Sequence, residues 1–405
     1  MSTLTQAKPG TAVPPRLLSV PLAVTFLAAF TSLTSFFLLL SVMPMLAAAA
    51  GAGSSTAGLM TGSLLLGTVA AEAVAAMAIR RLGCRTVLAA GAVLLGAPAL
   101  AMLVREPQAV MVSVSLLRGL GFGLCGVVTG TLTARLLPPE RRGEGLGLLG
   151  LVSGVPAVIA LPAGVWLAGH HQAAAAAALA AAIALLPLAA IRWLPDSADR
   201  TGATVHADRA DRAGRRPGDR GAGWMAGGGL RLPLIFAAAT IAAGVLDSFL
   251  PLVRGIAPAV AAAALLVQAI TATLSRWQAG KRGDRYGHAR LLIPALAVAA
   301  LGLAALLVPG SPVTLFAGMA LFGAGFGVLE NATLALLIEQ LPEAKASARW
   351  NLAYDAGYGA GPAVFGLICA HAGYRAGFGL TGALILAVVP VARRERKAAG
   401  AAGPA

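Results

Sequence analysis

Arg118-Gly119-Leu120-Gly121-Phe122-Gly123 returns 204 positions later as Phe322-Gly323-Ala324-Gly325-Phe326-Gly327, with three glycines and a phenylalanine in register. The same shift lays Arg81 and Gly83 on Arg285 and Gly287, and Leu137-Pro138 on Leu341-Pro342. A single glycine match means little in a chain with 50 glycines, but one constant offset across separate motifs marks a duplicated unit. Ser41-Val42-Met43-Pro44 and Ser248-Phe249-Leu250-Pro251 add a further likeness at a slightly different offset.

What the repeated unit consists of follows from composition. Of 405 residues, 58% are apolar and 12% charged, about half the charge of an ordinary soluble domain. Runs such as Leu18 to Ala48, Thr86 to Val104 and Ala289 to Val308 reach or approach the roughly 20 apolar residues that cross a hydrocarbon core of about 30 Å. Twelve such spans are predicted, at 18–48, 56–79, 86–104, 109–136, 144–168, 172–193, 230–253, 255–279, 288–308, 312–340, 347–370 and 374–392. The expected fold is an all-α membrane protein of twelve transmembrane helices in two pseudo-symmetric six-helix bundles, 18–194 and 230–392. Residues 1–17 and 393–405 are expected to be cytoplasmic tails. The stretch 195–229, rich in Asp, Arg and Gly with near-repeats such as Ala207-Asp208-Arg209, reads as a disordered cytoplasmic linker. The first span is too long, and followed by too many others, for a cleaved signal peptide.

The net charge of +15 does not point to nucleic acid, since the basic residues form no stripe and no aromatic platform accompanies them. They fall in alternate loops. Most of the 31 Lys and Arg lie on one side; Arg105, Arg254 and Arg375 lie on the other, with Arg118 inside a span and Arg276 near a boundary. This asymmetry predicts both termini in the cytoplasm of a bacterial-type inner membrane. Cys84, Cys125 and Cys369 are isolated, and His170-His171 has no carboxylate or Cys beside it, so no metal site is expected. No Gly-x-x-x-x-Gly-Lys-Ser/Thr loop is found, which argues against direct drive by ATP.

The loop after the eighth span reads Gly280-Lys281-Arg282-Gly283-Asp284-Arg285-Tyr286-Gly287 and resembles the G-x-x-x-D-R-x-G loop signature of the major facilitator superfamily, which in that family recurs in both halves. Gly280 and Gly287 would permit a tight turn at the membrane surface, and Asp284 would face helix dipoles or a neighbouring Arg to latch one state. The first-half copy, Ala76 to Gly83, has Arg80 where the signature has Asp. In the family this loop approaches the start of the eleventh span, so the resemblance implies a latch with exchanged charge, Arg80 or Arg81 pairing with Asp355. The fourth span and the following Leu136-Leu137-Pro138-Pro139-Glu140-Arg141-Arg142-Gly143 are similar to those of the family's drug and metabolite exporters, except that Ser115 stands where their Arg is usual and Arg118 lies a turn later. Gly154-Val155-Pro156 with Leu161-Pro162-Ala163-Gly164 is an imperfect version of the exporters' fifth-span signature, and a cleaner Gly361-Pro362 stands in the eleventh.

Glu72, Arg118, Asp247, Glu330 and Asp355 lie within spans, where each ionisable group costs about 2.5–3.5 kcal/mol on insertion scales. Such groups are functional candidates by default. The family's cavity is lined by spans one, four, seven and ten, which carry Arg118, Asp247 and Glu330. For Glu330 two readings stand, a proton-coupling carboxylate and a structural ion pair with Arg118; for Asp247, a solvated rim charge and a coupling site. Glu72 and Arg276, equivalent under the 204 shift, are expected to serve contacts between bundles. Thr31, Phe36, Thr129 and Asn331 could supply polar and aromatic cavity wall or interhelical hydrogen bonds. The resemblance implies a secondary transporter rather than an enzyme, without a cofactor, driven by the proton gradient and acting as a monomer on a small molecule. Proton-coupled efflux is the leading expectation, import or uniport of a sugar or organic acid the alternative, and a non-transporting sensor or scaffold a third.

Overall fold

A computed structural model describes residues 18–103, 108–137, 142–195, 229–253, 255–308 and 311–401. The tails at 1–17 and 402–405, the body of the linker, Arg105, Arg254 and the stretch 138–141 lie outside these residues. Among those described, eleven apolar segments are long enough to cross a membrane. They are α1 (Val20–Ala49), α2 (Ser54–Leu82), α3 (Cys84–Leu103), α4 (Val110–Leu136), α5 (Leu148–Gly169), α6 (Ala173–Trp193), α7 (Arg231–Leu252), α8 (Pro258–Tyr286), α9 (His288–Ala305), α10 (Pro312–Gln340) and a last one, Lys345–Ala398. A helix that long would span far more than the ~30 Å core. Gly373, at φ 78°, breaks it into α11 over 343–372 and α12 over 374–387, giving twelve crossings. A thirteenth helix, α13 (Val389–Ala401), is held by its buried Glu395, which accepts a hydrogen bond from Gln340 at the end of α10 and lies 3.7 Å from Arg231 at the start of α7.

Helix is dictated by the solvent, because hydrocarbon offers no partner to a backbone amide and an α-helix satisfies its own. The starts are local: Ser19 caps α1 by accepting from the Leu22 amide at 3.4 Å, and Ser311 caps α10 by accepting from Thr314 at 3.4 Å, each with proline in the first turn.

The duplication reappears as geometry. Gly119 of α4 lies on the Leu64 carbonyl of α2, and Gly323 of α10 lies on the Gln268 carbonyl of α8, so that the corresponding members of the two contacts are 204 positions apart. Gly121 rests on Gly91 and Leu95 of α3 as Gly325 rests on Ala295 and Ala299 of α9; Gly123 meets Thr68 as Gly327 meets Ala272. Small residues let backbones touch where no hydrophobic force acts between helices in lipid. Gly83 and Gly287 turn the chain at φ 83° and 87°, Gly51 and Gly255 at 82° and 88°, conformations that an L side chain rarely adopts. The expected tight turn over Gly280–Gly287 is narrower than the sequence reading had it. α8 continues helically through Gly280 to Tyr286, and Gly287 alone makes the turn.

The two bundles, α1–α6 and α7–α12, meet at the end of the molecule away from the termini. The Ser41 hydroxyl of α1 donates to the Asp247 backbone carbonyl of α7, and Thr61 of α2 and Ser248 of α7 share a hydroxyl hydrogen bond of 2.9 Å. Ser54 donates to the Gly366 carbonyl at 2.9 Å, Gly58 abuts the Pro362 carbonyl, and Gly169 abuts Pro258.

Candidate functional site between the bundles

The glycine contacts place the first ion pair. Because Gly327 of α10 sits on Ala272 of α8, the residues one turn further along each helix, Glu330 and Arg276, face each other, and Arg276 Nη1 lies 2.8 Å from Glu330 Oε1. The carboxylate side chain is 14% exposed and the arginine 42%. Of the two sequence readings of Glu330, the ion pair with Arg118 is replaced by one with Arg276, and Arg276, expected at an inter-bundle contact, pairs within its own bundle. Arg118 is fully buried and turned into its own bundle, where its guanidinium donates to the Leu95 carbonyl of α3 at 2.7 Å and the Ser35 carbonyl of α1 at 2.8 Å. It stands one residue before Gly119, on the face that packs against neighbouring helices, so it ties α1, α3 and α4 together without a carboxylate.

Asp247 is 5% exposed and therefore not a solvated rim charge. Its side chain accepts from the Tyr358 hydroxyl of α11, with Gln268 of α8 alongside, while its backbone carbonyl takes the Ser41 hydroxyl from the other bundle. Tyr358 belongs to a stripe on α11, Trp350, Tyr354 and Tyr358, whose rings stack at successive centroid distances of 5.8 and 5.3 Å, with Phe236 of α7 4.6 Å from Trp350. The stripe escaped the sequence reading, although its spacing of four residues was legible as one helix face. In the first bundle Phe36 of α1 stacks on Phe122 of α4 at 4.2 Å.

Thr31 and Thr129 do not bridge helices. Each hydroxyl bonds a carbonyl one turn back in its own helix, Leu27 at 2.9 Å and Cys125 at 2.8 Å. Asn331 is half-buried beside Gly280. The expected latch is also rearranged. Arg80 and Arg81 are exposed, and the carboxyl hydrogen-bonded to Asp355 is that of Glu72. Helix geometry explains the change, since Arg80 and Arg81 lie more than two turns further along α2 than the point where it meets Asp355. In the second half Asp284 is 81% exposed and faces His288 at 3.9 Å, one turn on, and Arg285 lies over the Tyr286 ring.

Arg118 yields a stability prediction. Arg118→Ala should lower the unfolding midpoint in detergent, at a cost of about 2–5 kcal/mol for the cavity. Arg118→Met, which refills the space and removes a buried charge that no carboxylate offsets, should recover most of the loss. Equal destabilisation of the two in scanning fluorimetry would assign the cost to the lost hydrogen bonds instead.

Comparison with known proteins agrees with this architecture. Among solved structures the chain is similar to the nucleoside transporter NupG (TM-score 0.68, 14% identity, 93% of this chain and 99% of that one). It is similar also to a D-xylose-proton symporter (0.71, 17%, 92% and 96%) and to the inward-open xylose transporter XylE from E. coli (0.70, 16%, 91% and 94%). No curated protein sequence matches the chain. The sequence profile described as Major Facilitator Superfamily matches residues 25–254 and 232–404. Two overlapping matches, one to each half, are what a duplicated six-helix unit produces, and with the twelve crossings they establish that this chain belongs to the Major Facilitator Superfamily.

Proposed function

We propose that this multi-pass transporter carries a small organic molecule out of the cell in exchange for protons, by alternating access between the two bundles. The observation that carries the reading is the Arg276–Glu330 pair: a carboxylate in the membrane interior, facing one arginine, is a group for which a proton and the ion pair compete. Protonation releases Arg276, and rocking of the bundles about their shared end converts that local event into access from the other side. Asp247, placed where α1, α7 and α11 converge, reports on the seam that must open. The aromatic stripe and acidic side chains of the second bundle favour an aromatic or cationic substrate. Export is favoured by the fourth-span likeness to drug and metabolite exporters, and the basic-loop asymmetry puts both termini in the cytoplasm of an inner membrane. The protein acts as a monomer and takes its energy from the proton gradient.

Import by symport is the second reading, favoured by the D-xylose-proton symporter among the similar structures. The two separate in everted vesicles. Acidifying the lumen should drive uptake of a compound from a panel of drugs, sugars and chelates if the protein exports. Proton-driven accumulation confined to right-side-out vesicles would establish the importer instead.

A further inference from the structure

Glu72 and Asp355 come from different bundles, and the antiparallel register of the α2–α11 seam sets their carboxyls beside each other inside the spanning parts of both helices. Two ionised carboxylates side by side repel and can only accept hydrogen bonds, so a proton on one of them turns repulsion into a hydrogen bond. Among the described residues no cation is placed to relieve the repulsion. Arg80 and Arg81 on α2 are exposed, and Arg276 is engaged by Glu330. Arg118 points into α1 and α3. Asp247, the acid that α7 brings near α11, is held by Tyr358, and Tyr354 is stacked between Trp350 and Tyr358. The rest of the α2–α11 seam is neutral and close: Ser54 on Gly366, Gly58 on Pro362, Gly62 on Ala363, Leu65 on Gly359. These contacts advance along α2 toward its terminal-side end, and Glu72–Asp355 comes last among them. Asp355 is 7% exposed and Glu72 is half-buried.

We propose that Glu72 and Asp355 form a proton-dependent clasp between the bundles. One shared proton holds α2 and α11 together in the half of the membrane nearer the termini, and its loss leaves two like charges in contact that push the helices apart. The clasp deepens the proton-coupled reading, on which its use in transport rests; its existence as a pH-sensitive contact does not.

The test uses the full chain in lipid nanodiscs, with Cys84, Cys125 and Cys369 replaced by serine and spin labels at Leu82→Cys and Ser347→Cys, two exposed positions beyond the clasp. Electron–electron resonance distances between the labels should lengthen from pH 5 to pH 9. The Glu72→Gln/Asp355→Asn pair keeps an amide hydrogen bond that cannot ionise, and should show the same short distance at both pH values. Glu72→Ala, which removes one charge outright, should also lose the pH response, and serves if the double variant does not fold. Asp247→Asn should keep it. A wild-type distance indifferent to pH, or a full response in the double variant, overturns the clasp. A pH-dependent distance in a protein whose flux ignores the pH gradient would support the clasp and sink the coupling reading; gradient-driven flux with a fixed distance would do the reverse.

Discussion

Glu330→Gln should abolish the response of transport to a pH gradient while the protein still folds and still exchanges substrate across the membrane without one. The amide has the shape of the acid and cannot ionise, so proton and Arg276 no longer compete for it. The partner left behind is 42% exposed and therefore not stranded in the packed interior, which keeps the folding cost low. The reciprocal change behaves differently. Arg276→Gln strands a carboxylate that is 14% exposed, at a cost of about 1–3 kcal/mol, and combining the two should restore stability but not coupling. Reconstituted vesicles with an imposed pH gradient, compared with counterflow of the same compound, separate the two activities. Wild-type gradient dependence in Glu330→Gln would remove this residue from the mechanism.

The second large effect concerns the scaffold. Gly119→Ala should sharply reduce the yield of folded protein, because the new methyl would overlap the Leu64 carbonyl, a backbone atom that cannot rotate away. Overpacking usually costs about 1–3 kcal/mol, and exceeds that range when relief requires two helices to separate. Gly327→Ala should do the same to the second bundle against Ala272. The control lies on the same helix as Gly119. Gly126 and Gly130 face open space, so alanine there should be neutral or stabilise by about 0.5–1 kcal/mol through helix propensity. Folded yield and unfolding midpoint in detergent read the contrast directly. Similar losses at Gly126 and Gly119 would mean that close backbone approach is not what the glycines serve.

What could be read without coordinates was set by the solvent and by the repeat. Long apolar runs in lipid have only one way to satisfy their amides, so the helices followed from composition, the two halves from the constant offset, and the family from the loop motif that the chain resembles. Of the two glycines expected to turn the loop, Gly287 does so and Gly280 stays helical, while Gly83, aligned with Gly287 by the offset, shares its positive φ. Which buried charges meet was not legible, because a partner across helices depends on rotation about each helix axis, and Arg276 and Glu330 lie 54 positions apart in the chain. Arg118 and Glu330 were natural partners by charge, yet a guanidinium aimed at Ser35 and Leu95 and a carboxylate aimed at Arg276 lie in different bundles. Asp355 was given a cation for the same reason and meets Glu72. Sequence determined that these ionisable groups lie within apolar spans, where each is costly. Only the tertiary structure, through glycines that fix how closely and at what rotation the helices touch, decided which groups face each other.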